Sequence, residues 1–162
     1  MRKWSFLFLP ALLLLLLTGC TEVQRRETDL EGKVVGIADG DTFTLLTDED
    51  KQVKVRLHGV DCPEKGQDFG QVARDKTSAL VFGQRVEVDV MNTDRYGRTV
   101  GIVYNAAQVC IYEELLRTGL AWHYKDYDDN PEWAALESEA RRKKTGLWSR
   151  PDPIRPSRFR RR

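Results

Sequence analysis

The sequence has almost no net charge and contains few cysteine and histidine residues. Lys and Arg total 26 and Asp and Glu total 25, which gives a net charge of +1 at pH 7, and there are 3 Cys and 2 His. This balance excludes a strongly basic overall field, so any nucleic-acid partner must be held by local patches of positive charge. His58 and His123 form no metal-binding or catalytic-triad pattern, and we interpret both as structural.

One apolar run stands out, near the N-terminus. It extends from Phe6 to Leu17, is interrupted only by Pro10, and follows a basic start. The run is too short to span a bilayer comfortably and has the pattern of an export signal, with a buried apolar helix as the alternative. The "LTGC" that ends it resembles the lipobox of bacterial lipoproteins, in which cleavage precedes a cysteine that becomes diacylated. The resemblance implies a signal peptide at residues 1–19, lipidation of Cys20, and a membrane-anchored protein of the bacterial cell envelope outside the cytoplasm.

The rest of the chain has room for one domain. Without residues 1–19 the charge balance is about −1, and the polar, charged residues 20–31 predict a flexible tether. About 130 residues then remain, the size of a single domain with a real core. We place this domain at residues 32–148, followed by a proline-rich basic tail at 149–162. The tail is predicted to leave regular structure; solvation is its default, and contact with nucleic acid or anionic lipid is the alternative.

Two cysteines remain once Cys20 is assigned to lipid. Cys62 and Cys110 would lie in a compartment that permits disulfides. Their spacing does not show whether their Cα atoms come within bonding distance, so a disulfide and two separate buried thiols both stay open.

The pattern of apolar residues predicts an α+β domain. Strands are predicted at residues 32–38, 42–47, 52–58, 86–90 and 99–104. A first helix is predicted at residues 67–82, a second carries Val109 to Leu116 and stops at Gly119, and a third begins after Asn130 and ends before Gly146. Five short strands with one helix after the third fit a Greek-key β-barrel of the OB type with three helices, a fold whose face commonly binds oligonucleotides.

Charged residues collect at the predicted strand ends. Asp41 opens the second strand and Asp61 follows the third. Two such loops could meet around a hard cation such as Ca²⁺, which needs several oxygen ligands. Taken alone, each aspartate is explained as a turn former, Arg56 and Arg98 as surface charges, and Glu64 as a solvated loop carboxylate.

Three motifs change that interpretation when they are taken together. "DGDTF" at 39–43, "RLHGVDCPE" at 56–64 and "DRYGR" at 94–98 resemble the active-site motifs of the staphylococcal nuclease (thermonuclease) family. The likeness runs from about residue 32 to residue 148 and includes "RTGLAW" and "KKTGLW". It therefore covers nearly the whole predicted domain.

The resemblance implies a role for each motif residue. Asp41 and Asp61 would bind Ca²⁺ through their side chains, and Cys62 would bind it through its backbone carbonyl. Arg56 and Arg98 would grip the phosphate, and Glu64 would act on the attacking water, either as a base or by orienting it. Cys62 departs from the family's best-known member, which has threonine there, but a carbonyl ligand does not depend on the side chain.

The family also supplies expectations for substrate binding. Arg95 and Tyr96 lie in the motif turn, where similar nucleases contact nucleotide phosphate. Tyr124 and Tyr127 fall in the segment that supplies tyrosines to the nucleotide pocket; packing between helices is the alternative for both, although exposed tyrosines readily stack on bases.

The resulting prediction is a monomeric, calcium-dependent, sugar-nonspecific nuclease that cleaves DNA and RNA and prefers single-stranded or frayed regions. One alternative is an OB-fold lipoprotein that binds nucleic acid without catalysis. Another is a lipoprotein whose barrel docks to an envelope partner. The carboxylates favour the nuclease, because binding alone would not require them.

Overall fold

The computed structural model describes residues 28–161. The predicted signal peptide, the lipidation site Cys20 and most of the predicted tether lie outside the described residues. Within the described range, no helix is both long and apolar enough to cross a membrane. The strands are β1 (Leu30–Ile37), β2 (Thr42–Leu46), β3 (Gln52–Leu57), β4 (Val60–Asp61), β5 (Arg85–Thr93), β6 (Thr99–Asn105) and β7 (Trp122–His123). The helices are α1 (Gly70–Val81), α2 (Ile111–Arg117), α3 (Pro131–Arg142) and α4 (Pro156–Phe159), with a 3-10 helix at Gly146–Ser149.

Five strands close into a barrel in the order β1-β2-β3-β6-β5. Strands β3 and β6 run parallel, with Arg56 opposite Val100, and the other barrel pairs are antiparallel. Alternation along β3 buries Val55 and Leu57 in the core and leaves Arg56 on the other face. The closed five-stranded barrel with helices confirms the predicted fold class.

The helices extend the barrel core and form a smaller core of their own. Helix α1 contacts β1 and α2, and α2 packs against α3. A second apolar cluster contains Trp122, Ala140, Leu147 and Trp148. Gly119 allows the backbone at Thr145 to approach closely, since a Cβ at Gly119 would lie 2.3 Å from the carbonyl oxygen of Thr145. The φ of Gly119 is +65°, a conformation that glycine adopts readily.

The observed elements differ from the predicted ones at their ends. Strand β1 begins at Leu30, inside the predicted tether, because Leu30 pairs with Val88 of β5 and packs against the core. Helix α1 begins at Gly70 rather than at residue 67, because Phe69 has a φ of +65° and the preceding residues form a turn. The two-residue strands β4 and β7 pair with each other and were not predicted, since two residues carry no detectable period.

The sequence predicts that the chain leaves regular structure from residue 147 to residue 162, and the described part of this segment contradicts that prediction. The 3-10 helix occupies Gly146–Ser149, and α4 begins with Pro156, whose fixed φ suits the first position of a helix. Pro156 is buried, so this part of the tail packs on the domain.

The question of the two cysteines is also answered by the fold. Cys62 and Cys110 are both buried and both free, in line with the alternative of separate thiols. Burial raises the pKa of both thiols above its usual value.

Candidate active site

The centre of the candidate site is Arg56, which lies between two aspartates. Its partner in the β2–β3 register is Thr42, so Asp41, the residue before Thr42, is brought beside it. The Arg56 guanidinium forms an ion pair with Asp41 through Nη1 and with Asp61 Oδ1 through Nη2, the latter at 3.2 Å. Nη2 also donates to the Val60 carbonyl oxygen at 3.2 Å. One guanidinium therefore links the start of β2 to the end of β4.

Neighbouring groups fix the orientation of the Asp41 carboxylate. The backbone N–H of Cys62 donates to Oδ2 at 2.8 Å, and the Thr42 hydroxyl donates to Oδ1 at 3.0 Å. Burial would raise the pKa of Asp41, but the charge and hydrogen bonds of Arg56 and Cys62 lower it below its usual range. Asp41 is therefore an ionised carboxylate.

The pKa of Asp61 is shifted in the opposite direction to that of Asp41. Burial and the negative charge of Asp41 raise the pKa of Asp61, although Arg160 and Arg56 act to lower it. Burial would lower the pKa of Arg56, but the charges of both aspartates raise it above its usual value. The cluster therefore holds more negative charge than Arg56 alone neutralises.

Asp39, the first residue of "DGDTF", adds a further carboxyl group. Its Oδ1 accepts a hydrogen bond from the Asp41 backbone N–H at 3.1 Å. Burial and the charge of Asp41 raise the pKa of Asp39 to about 7. Near neutral pH this group is partly protonated, and the proton lessens the repulsion between the two carboxyls.

The donor chemistry of the cluster fits a hard cation. Among residues 28–161, no group of three or more His, Cys, Asp or Glu side chains is arranged to hold a metal ion. Two buried carboxylates, Asp41 and Asp61, nevertheless lie on either side of Arg56 and repel each other. Ca²⁺ takes six to eight oxygen ligands, which include backbone carbonyls and water as well as carboxylates. The side chains present fit such an ion as part of its ligand set.

Most of the predicted site residues line one cavity of about 810 Å³ next to this cluster. Its walls include Asp41, Arg56, Glu64, Arg98, Arg95, Tyr96, Tyr124 and Tyr127. Arg98 pairs with Asp94 rather than with Asp41 or Asp61, through Nε and Nη2 at 2.7 Å. Asp94 also accepts the backbone N–H of Arg98 at 3.0 Å, so the β5–β6 turn fixes the direction of this arginine.

Aromatic rings form the outer part of the cavity. Tyr96 is 71% exposed, and the guanidinium groups of Arg95 and Arg98 lie 5.2 and 5.4 Å from the centre of its ring. Tyr124 and Tyr127 meet edge to face with ring centres 4.7 Å apart. Tyr127 is 67% exposed, so it is not packed between helices.

The two histidines hold the wall that carries these tyrosines. His123 Nε2 lies 2.9 Å from Asp128 Oδ1, and His58 Nε2 lies 3.4 Å from Asp128 Oδ2. The Tyr124 backbone N–H donates to the Gly59 carbonyl oxygen at 2.8 Å. These contacts fasten the segment between β7 and α3 to the barrel.

Sequence analysis gave no role to two residues of the cluster, Asp39 and Arg160. The guanidinium of Arg160 forms ion pairs with Asp61 and Glu64. The only signal for Arg160 in the sequence was the basic run "RFRRR" at the end of the tail, in which no position was distinguished from its neighbours.

Comparison with known proteins extends over the same region. Residues 54–150 match the family model described as "Staphylococcal nuclease homologue". An "Uncharacterized endonuclease" of Escherichia coli O157:H7 is 41% identical over 128 residues, which cover 79% of this chain and 83% of that protein. A Haemophilus influenzae protein with the same name is 40% identical over 149 residues, 92% of this chain and 82% of its own. A "Micrococcal nuclease" of Shigella flexneri is 39% identical over 143 residues, 82% of each chain.

Proposed function

Because the chain belongs to the staphylococcal nuclease homologue family, we propose that it is a calcium-dependent, sugar-nonspecific nuclease that hydrolyses phosphodiester bonds of DNA and RNA. Family membership and the named relatives support nuclease activity itself. The metal requirement, the range of substrates and the roles of individual residues are our proposals, and they rest on the chemistry of the site.

One observation carries the proposal: Arg56 is held between Asp41 and Asp61 at the edge of a cavity that Glu64 and Arg98 also line. Hydrolysis of a phosphodiester adds water to a phosphorus centre that is already anionic. The site must therefore stabilise negative charge on the phosphate oxygens and activate the water. Arginines beside carboxylates supply both kinds of group in one place.

Asp41, Asp61 and the Cys62 carbonyl would hold the Ca²⁺ ion. When bound, the ion supplies Lewis-acid polarisation of a phosphate oxygen and helps to fix the substrate. The Cys62 backbone contributes twice in this arrangement, because its N–H already orients the Asp41 carboxylate at 2.8 Å.

Arg56 and Arg98 would bind the phosphate oxygens. A guanidinium group is planar, donates paired hydrogen bonds to phosphate oxygens, and stays charged at any working pH. Asp41 and Asp61 hold Arg56, and Asp94 holds Arg98, so neither side chain has to be ordered when substrate arrives. Glu64 would accept a proton from the attacking water or orient that water.

The outer cavity would bind the nucleotide beyond the scissile phosphate. Arg95 and Tyr96 would contact nucleotide phosphate, while Tyr124 and Tyr127 offer rings on which bases can stack. Stacking needs unpaired bases, so we propose a preference for single-stranded or frayed substrates. No second subunit is needed to build this cavity, and we propose that the protein acts as a monomer.

Chelation tests the calcium requirement and the catalytic role together. Hydrolysis of a fluorescent single-stranded oligonucleotide should stop in EDTA, and it should return as Ca²⁺ is added over about 10⁻⁴ to 10⁻³ M, the range of weak extracellular sites. Binding of the oligonucleotide is measured in parallel by fluorescence anisotropy. Full hydrolysis in EDTA would contradict the calcium assignment. Binding without hydrolysis at every Ca²⁺ concentration would instead support a non-catalytic binding module.

We also propose that Cys20 anchors the protein to the bacterial cell envelope outside the cytoplasm. The proposal rests on the resemblance of "LTGC" to a lipobox and on the apolar run before it. Cys20→Ser should abolish incorporation of labelled fatty acid and leave a precursor or a soluble form. Cys110→Ser serves as the control, since Cys110 is buried in the domain. Unchanged maturation in globomycin, which inhibits lipoprotein processing, would show that the lipobox interpretation is wrong.

A further inference from the structure

The C-terminal residues 150–161, which we call the strap, are fastened to the domain at several points. Arg150 pairs with Asp68 at 3.1 Å, and the guanidinium of Arg155 lies over the Trp122 ring, 5.0 Å from its centre. Pro156 is buried. These contacts set the path along which the strap runs to the active site.

Gln67 connects the strap directly to the loop that carries Glu64. Its side-chain oxygen accepts the Glu64 backbone N–H at 3.1 Å, and its amide nitrogen donates to the Ile154 carbonyl oxygen at 2.5 Å. Gln67 is itself buried. The position of the strap is therefore tied to the position of the proposed water-activating residue.

The strap ends by placing Arg160 against two carboxylates of the site. Arg160 Nη1 and Nη2 lie 3.2 and 3.3 Å from the two oxygens of Asp61. Nη1 also pairs with Glu64. Contacts to both oxygens of Asp61 form a paired arrangement, the stronger kind of arginine–carboxylate interaction.

The contact with Arg160 offsets an excess of negative charge in the site. Asp41, Asp61 and Glu64 carry three negative charges, and Arg56 contacts only the two aspartates among them. Arg160 supplies a second positive charge, in contact with Asp61 and Glu64. It thus neutralises the same carboxylates that a metal ion would neutralise.

We propose that Arg160 is a functional residue of the nuclease site that competes with Ca²⁺: its guanidinium pairs with Asp61 and Glu64 and must move away from Asp61 for the ion to bind. The inference rests on the proposed calcium requirement. Ca²⁺ bonds to carboxylate oxygens at about 2.3–2.6 Å. An ion on Asp61 and a guanidinium on the same two oxygens would lie within a few ångströms of each other and repel. The strap thereby sets how much Ca²⁺ the enzyme requires.

The test measures Ca²⁺ binding directly, by isothermal titration calorimetry on the full chain without nucleic acid. Arg160→Gln should tighten Ca²⁺ binding about three- to tenfold, the range for losing a partly exposed, paired arginine contact. Arg160→Lys keeps the charge but loses the planar fork, so its Ca²⁺ affinity should lie between that of the unchanged protein and that of Arg160→Gln. Arg158→Gln removes the same charge from an exposed position of α4 and should bind Ca²⁺ as the unchanged protein does.

The possible outcomes separate this inference from the proposed function. Equal or weaker Ca²⁺ binding by Arg160→Gln overturns the competition, and a loss of nucleotide-inhibitor affinity in the same variant would then identify Arg160 as a phosphate contact. Absence of Ca²⁺ binding by every protein up to about 10 mM overturns the calcium requirement and the competition together. Circular dichroism spectra and thermal melts in EDTA establish that each variant is folded.

Discussion

Replacing Arg56 with lysine is expected to lower the turnover number for oligonucleotide hydrolysis on the order of 10²-fold or more. Lysine keeps the positive charge but loses the planar fork. In the structure that fork holds Asp41 through one nitrogen and Asp61 through the other. The substitution therefore removes a phosphate donor and also frees the two carboxylates proposed to hold Ca²⁺. Turnover is measured at saturating Ca²⁺, so that a change in metal affinity does not obscure the effect on catalysis.

Arg98→Lys provides the comparison within the site. Arg98 pairs with Asp94 and contacts neither metal-binding aspartate, so its substitution should lower turnover strongly while leaving Ca²⁺ affinity unchanged. Arg74→Lys is the control outside the site, since this half-buried arginine donates to the Ile37 carbonyl oxygen. If both Arg56→Lys and Arg98→Lys lower turnover less than about threefold, the arginines serve only to grip phosphate, and a binding module without catalysis becomes the better explanation.

Replacing Glu64 with glutamine should also cost about 10²- to 10⁴-fold in turnover, the usual contribution of a positioned general acid or base. Glutamine keeps the shape of the side chain but loses the basic oxygen. Ca²⁺ and a nucleotide inhibitor should still bind, because neither is proposed to require Glu64. The informative measurement is therefore turnover beside inhibitor affinity. The control is Glu114→Gln, a half-buried carboxylate paired with Lys76 at 3.3 Å.

Replacing Glu64 also affects Arg160, so the Glu64 experiment needs a second variant. Glutamine cannot form the ion pair that Glu64 makes with Arg160, so the strap loses one of its contacts. The double variant Glu64→Gln with Arg160→Gln separates the two effects. If Glu64 activates water, the double variant should be as slow as Glu64→Gln alone. Recovery of turnover in the double variant would mean that a displaced arginine, rather than the missing base, caused the loss.

The barrel was predictable because its signals are local. Val53, Val55 and Leu57 alternate with polar residues along β3, and this alternation places Arg56 on the outer face without any knowledge of the fold. Asp41 and Asp61 were recognised as strand-end residues within short motifs for the same reason. These features depend on a few neighbouring residues, and their period is visible in the sequence.

The partners of these residues were not predictable in the same way. Arg56 and Arg98 were assigned the same role, and the sequence did not show that their carboxylate partners differ. The turn directs Arg98 to Asp94, while Arg56 holds both aspartates. The pairing of β4 with β7 also escaped detection, because it joins two very short strands that are distant in the sequence. Such contacts follow from how the elements pack, and no periodic pattern of apolar residues in the sequence indicates them.

By itself, the sequence determined the order of the five barrel strands along the chain and the face on which Arg56 lies, because backbone geometry links these directly to neighbouring positions. The motif residues were identified by their resemblance to those of a known family. Only the tertiary structure decided which charges meet. Arg160 is separated from Asp61 by 99 positions, and it reaches that carboxylate because Gln67, Trp122 and a buried proline fix the path of the strap. In the unfolded chain, a basic side chain in a tail can lie near many different carboxylates. It has one defined carboxylate partner only when packing fixes the path of the tail.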